Sequence, residues 1–286
     1  MTQGELRVAA GRGPLRAEHD RLLRTALRRG ALRPEREEGE RIDTRDYHDV
    51  TLRDARRIWL QRMVNEHRSA AVFSQLLPQL MEAGATLDVQ TTVLRMSMDE
   101  LRHGALCAGI VEALGGEAVV TTELAPAPLP THPGCTPLER AMRNALFIGC
   151  LCETVAVALT AEERERTTEP LVRRVIDQIC ADESLHARFG WAFVTEAAPA
   201  LDAAARARTD AWLRTAFAYF ERRELDDIPA CPVPPGEVVR EGQALGVCEN
   251  MATRELVYAS IEQAVLPALE ALGFGAHRAW RERASA

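Results

Sequence analysis

The amino-acid sequence predicts an all-α protein: a four-helix bundle with a long crossover between helices 2 and 3 and additional N- and C-terminal helices. Three observations predict it. Ala, Leu, Arg and Glu dominate the 286 residues and aromatics make up only 5%, which favours helix over sheet. Four stretches repeat apolar residues at three and four, the period of a helix with one buried face. Between the second and third, residues 117–135 carry Pro126, Pro128, Pro130 and Pro133. That excludes helix and leaves enough chain to cross from one end of a bundle to the other.

The expected organisation is an N-terminal arm over 1–50, partly helical with weak periodicity at 15–29; the bundle over 51–197; and C-terminal helices over 198–286 that pack on the bundle within the same domain. The first bundle helix opens at Thr51, with Asp54 completing a capping-box-like pair, and stops at Gly84. Its stripe reads Trp59, Met63, Glu66, Ala70, Phe73 and Leu77. The second, over 86–114, reads Val93, Met96, Glu100, His103, Cys107, Ile110 and Leu114 and ends on Gly115-Gly116. The third starts with Thr136 as cap and Pro137 at the first position, and its face includes Leu146, Cys150, Glu153, Val157 and Thr160. Thr168 and Pro170 open the fourth, with Val172, Ile176, Ile179, Glu183, His186, Gly190 and Phe193 on one side. Two more helices follow over 201–223 and 253–272, separated by a proline-rich loop.

Charge narrows the function classes. With 42 acidic against 35 basic residues the net charge is -7, which argues against nucleic acid as a partner because phosphate binding needs a basic field. No apolar run is read as approaching the roughly 18–20 residues of a membrane span, and no signal-peptide core is present, so a membrane partner is not expected and a cytoplasmic location is. Seven cysteines with no C-x-x-C pair fit buried thiols in a reducing compartment and leave no rubredoxin-type iron site.

The chemistry lies in the stripes. Glu100-x-x-His103 and Glu183-x-x-His186 each place a carboxylate and an imidazole on one helix face, and Glu66 and Glu153 sit singly in the other two. An ionised Glu on an apolar stripe is costly, and a lone His there is usually a satisfied core residue. Four Glu and two His on four inner faces are another matter, since a metal-free bundle would have to neutralise or hydrate every carboxylate. Two divalent cations cancel all four. Carboxylate and imidazole without thiolate suit iron, with manganese as the alternative. By spacing, Glu66, Glu100 and His103 serve one metal, Glu153, Glu183 and His186 the other, and Glu100 and Glu183 bridge.

This series resembles the non-haem di-iron carboxylate proteins of the ferritin-like superfamily over about residues 50–197. Asn65-Glu66-His67-Arg68-Ser69 and Gly149-Cys150-Leu151-Cys152-Glu153-Thr154 are similar to uncharacterised bacterial ferritin-like domain proteins. Asp99-Glu100-Leu101-Arg102-His103 resembles the motif of di-iron monooxygenases and the ribonucleotide reductase radical subunit. The resemblance implies that Asp99 and Asp182 orient the histidines, with Arg102 paired to one of them; the other reading of these three is solvated helix charge. N-oxygenases of aryl amines carry an extra His where Ile179 stands, so the likeness to them is incomplete. No tyrosine lies near a ligand in sequence, which weakens a radical-bearing reading unless Tyr47, Tyr219 or Tyr258 folds in.

The expected function is a non-haem di-iron oxygenase or oxidase that uses O2 as co-substrate to oxidise a small organic molecule. An electron-donor protein and a second copy of the chain are the protein partners such a site allows. The alternatives are an iron-handling or peroxide-scavenging protein like ferritin or rubrerythrin, or a di-manganese catalase-like enzyme. Small residues within a turn of the ligands (Ser69, Ala70, Gly104, Gly149, Ala187 and Gly190) either open a cavity or let helices approach. Sequence leaves both open.

Overall fold

A computed structural model describes residues 3–7, 41–226, 228, 230 and 236–285. Four long helices form a ferritin-like bundle: α1 (Asp49–Glu82), α2 (Leu87–Ala113), α3 (Pro137–Arg166) and α4 (Pro170–Ala197). α1 and α2 make a hairpin across Gly84, whose φ of 72° is the left-handed conformation that glycine adopts without strain. After the bundle come α5 (Ala203–Leu225), α6 (Glu237–Ala244), α7 (250–271) and α8 (Ala276–Glu282).

The helix starts differ from expectation in two places. α1 begins before Thr51, with His48 as N-cap and no side-chain cap bond. Thr51 instead donates its hydroxyl to Glu241 at 2.7 Å. A charged acceptor brought in by α6 wins over the local capping pair. At α4 the cap is Glu169, which accepts from the Leu171 N–H at 3.3 Å, not Thr168. α3 starts as expected: Thr136 Oγ1 accepts from the Glu139 N–H at 3.2 Å with Pro137 next in line.

The crossover contains a strand the sequence reading lacked. β2 (Val119–Glu123) pairs antiparallel with β1 (Gln3–Arg7), Gln3 opposite Glu123 and Arg7 opposite Val119. Val-Val-Thr-Thr is β-branched throughout, a signal masked by the prolines beyond it. The helix expected over 15–29 lies outside the described residues, as does most of the proline-rich loop after α5.

A further correction concerns apolar length. α3 spans 30 residues with a mean hydropathy of 1.7 in its most apolar window, enough by length and composition to cross a membrane. It is a bundle helix nonetheless, half of that window being buried. The apolar residues are needed because the bundle and α7 cover α3 on separate sides.

Two apolar clusters fill the interior. One, at the end covered by α5, α7 and α8, includes Phe73, Met96, Phe189, Phe217, Phe220 and Trp280. The other includes Trp59, Met63, Cys107, Ile110, Ile176 and Ile179. Three of the four helices pass from one cluster to the other through a short interval: Met63 to Phe73 on α1, Met96 to Cys107 on α2, Ile179 to Phe189 on α4, whereas the apolar residues of α3 belong to the first cluster alone. Glu66, Glu100, His103, Glu183 and His186 fall in those intervals, and α3 brings Glu153 in from between Leu151 and Val155 of the first cluster.

Candidate metal centre

Glu66, Glu100, His103, Glu153, Glu183 and His186 meet in the layer between the two clusters. They form two overlapping quartets: Glu66, Glu100, His103 and Glu183, and Glu100, Glu153, Glu183 and His186, with one side-chain ligand atom per residue and all such atoms within 4.8 Å of one another. Glu100 and Glu183 belong to both quartets, the position spacing had given them. The rings of His103 and His186 lie 5.9 Å apart.

Each imidazole turns Nδ1 toward the carboxylates. His103 Nδ1 lies 3.5 Å from Glu66 and 3.4 Å from Glu183, and that nitrogen is buried without a hydrogen bond. His186 Nδ1 lies 3.0 Å from Glu100, 3.2 Å from Glu183 and 3.7 Å from Glu153. A buried ring nitrogen that faces carboxylate oxygens but has no partner fits a cation between them.

The outer nitrogens explain the Asp residues, and the pairing crosses between helices. Asp182 of α4 accepts from His103 Nε2 of α2 at 3.0 Å, while Asp99 of α2 sits 3.7 Å from His186 Nε2 of α4. The Nε2–H···Asp182 bond fixes the tautomer that leaves the His103 Nδ1 lone pair free for a metal. Arg102, 2% exposed, joins both halves: its guanidinium contacts Asp182 and lies 3.0 Å from Asp99. It pairs with both aspartates, where one had been expected. Arg95 Nε donates to Asp99 at 2.9 Å and Gln178 Nε2 to Asp182 at 2.7 Å. Both supports are i,i+4 pairs that the sequence contained but the reading passed over.

Without a cation this centre is under strain of charge. Burial and then the neighbouring Glu183 push both Glu100 and Glu153 well above the usual carboxylate range. At Glu183 burial acts the same way, but the neighbouring Glu153 carboxyl and the imidazoles of His103 and His186 that face it outweigh burial and hold the group low. Burial would depress both histidines, yet the surrounding carboxylates (Asp182, Glu183 and Glu66 for His103; Asp99, Glu100, Glu153 and Glu183 for His186) raise them well above the usual imidazole value. Protons thus stand in for positive charge. Six carboxylates, Asp99 and Asp182 included, face the two guanidinium groups of Arg95 and Arg102, which leaves four negative charges. Two divalent cations balance that sum.

The third helix brings Glu153 in through an irregular segment. Residues Leu146–Cys152 wind as a π-helix immediately before it, a widened turn that is common at functional sites. Gly149 in that turn touches Gly190 of α4; a Cβ built on Gly149 would lie 2.6 Å from Gly190 Cα. These two small residues therefore serve close approach, not a cavity.

A second buried ion pair, unforeseen from sequence, lies one turn from Glu66. Arg62 Nη2 donates to Glu163 at 2.5 Å, and the guanidinium stacks 4.5 Å over Trp59. Burial pushes Glu163 up against the pull of Arg62. The partners are 101 positions apart, so no local signal could join them. Cys107 is buried beside this pair, and burial, with Glu66 next, drives its thiol well up. The six described cysteines are all free.

Other candidates sit apart from the quartets. His67 lines a shallow surface groove with Arg68 and Glu123. Ile179 is buried in the apolar cluster around Trp59. Tyr258 donates to Glu221 at 2.8 Å, Tyr219 is 53% exposed, and Tyr47 packs on the Trp59 cluster.

No family model matches the sequence, and no curated protein matches it. Among solved structures, the chain is similar to protein 19 with aldehyde deformylating oxidase activity from Synechococcus. The two share 18% identity at a TM-score of 0.54, over 82% of this chain and 97% of that one. At that identity the likeness concerns the fold.

Proposed function

We propose that this chain, a ferritin-like bundle with a buried carboxylate and histidine centre, is a di-iron oxidoreductase that uses O2 to oxidise a small organic substrate. The observation that carries the proposal is the pair of quartets sharing Glu100 and Glu183. Glu66, Glu100, His103 and Glu183 would hold one iron, and Glu100, Glu153, Glu183 and His186 the other. Two irons held this way supply open coordination positions and the electrons that O2 chemistry requires.

The chain's own groups would do the rest. Asp182 keeps a proton on His103 Nε2 and so keeps Nδ1 available. Arg102 fixes both aspartates relative to one another. Phe73, 1% exposed and packed edge-on to His186 with ring centroids 5.5 Å apart, walls the centre against water on that side. Glu66 has the most exposed side chain of the four glutamates at 13%, so access is read on its side.

The oxidase activity of the Synechococcus protein with the same fold favours this reading over iron handling. The free cysteines support a reducing, cytoplasmic setting. Leu87, Leu94 and Leu101, exposed at seven-residue spacing on α2, support pairing with a second copy. An electron-donor protein completes the proposal.

The test is anaerobic iron(II) titration followed by O2. Two irons per chain, an O2-dependent visible band, and loss of both in Glu100→Ala are expected. Tight manganese with catalase activity would replace iron by the di-manganese alternative. Absence of dinuclear binding under either condition would overturn the enzyme reading.

A further inference from the structure

A groove of about 560 Å³ runs between the outer ridge of α1 and β2. That volume falls within the range of small-molecule sites. Arg53, Arg56, Arg57 and Arg68 border it, and no acidic residue is among its described lining. Leu60, Val64 and Val120 supply its apolar floor. Residues 53, 57, 61, 64 and 68 follow a spacing of three and four, so one ridge of α1 carries Arg53, Arg57 and Arg68, with Gln61 and Val64 between the last two and Arg56 beside the row.

Four like charges along one cleft repel one another and focus a positive potential, in a chain whose net charge is -7. Asp54 lies 3.9 Å from Arg57 with both side chains more than half exposed, a contact of little energetic weight. Two of the arginines are held in place. Arg56 Nε donates to the Leu114 carbonyl at 2.8 Å, and Arg68 Nη2 to Thr122 Oγ1 at 2.7 Å. Each bond uses one N–H of a five-donor fork and leaves the guanidinium oriented for an oxyanion.

The geometry points to a binding site for a free amphiphilic anion: a carboxylate or phosphate headgroup on the arginines, with a hydrocarbon chain over Leu60, Val64 and Val120. An anion without an apolar body would leave the floor wet, and an apolar molecule without a headgroup would leave the guanidinium forks along the border unused. The site lies on the outer face of the helix whose inner face carries Glu66. It stands or falls independently of the metal centre.

Calorimetric titration of the full chain with dodecanoate and with dodecyl phosphate tests this. One site per chain is expected for at least one of them. Dodecanol and acetate should each bind about tenfold more weakly or worse, and Arg53→Glu/Arg57→Glu should weaken the anion by a similar factor. Both substituted residues are exposed, so unchanged circular dichroism and cation stoichiometry will report an intact fold. Equal binding of dodecanol, equal binding by the double variant, binding only to anionic vesicles, or no binding at all would each overturn the assignment.

Discussion

Replacing Gly149 by Ala tests how the bundle closes around the centre. The added Cβ would lie 2.6 Å from Gly190 Cα and 3.1 Å from its nitrogen. An ordinary carbon–carbon contact needs about 3.5–4.0 Å, so α3 and α4 must separate by roughly 1 Å. Overpacking against a side chain typically costs about 1–3 kcal/mol. Here the obstacle is backbone, which has no rotamer to escape into, and a loss of about 3 kcal/mol is expected. The same shift moves Glu153, four residues on, away from Glu183 and His186. Cation affinity at the quartet containing Glu153 should therefore fall by about tenfold or more, with the Glu66 quartet less affected. Denaturant unfolding of the cation-free protein and cobalt(II) titration measure the two effects. Stability within about 0.5 kcal/mol of the parent, together with unchanged binding of both cations, would refute the reasoning.

Asp182→Asn removes the charge that holds His103 and Arg102; cation affinity is expected to drop about 10–100-fold, read by competition against a chelator. Glu163→Ala strands Arg62 in the interior and should cost about 3–5 kcal/mol of unfolding free energy, whereas Arg62→Met/Glu163→Leu should recover most of it. The contact between His48 and Glu241, 2.8 Å long, has a defined pH sign. Its hydrogen bond to Glu241 raises His48 above its ordinary 6.5, so that contribution is full below 6.5 and is lost as pH rises through the folded value. Glu241 is lowered from its ordinary 4.5, its desolvation outweighed by hydrogen bonds from His48 and Thr51, so its contribution is present above 4.5 and fades as pH falls through the folded value. Proton NMR should place the His48 midpoint above 6.5, and Glu241→Gln should lower it; an unchanged midpoint in that variant would remove the coupling.

The helices and the six central residues were legible because both signals are local. Apolar residues at three and four define a buried face, and a Glu three residues before a His shares that face whatever the rest of the chain does. The height at which the four stripes meet is set by how the helices pack, not by that periodicity. Asp99, Asp182 and Arg102 were legible as residues, through resemblance, but not as an arrangement. That each aspartate serves the histidine of the other helix depends on how α2 and α4 face each other.

What only the tertiary structure decided involves partners far apart in the chain. Thr51 looked like a cap until Glu241 arrived from 190 positions away. Arg62 and Glu163 are ordinary surface types until two helices bury them together. Val119–Glu123 became a strand because Gln3–Arg7 lies beside it. Gly149 and Gly190 could equally have opened a cavity, and the contact between their backbones settled the matter. Periodicity fixes which face of a helix is buried; which residue meets it there is set by the packing of all the helices at once.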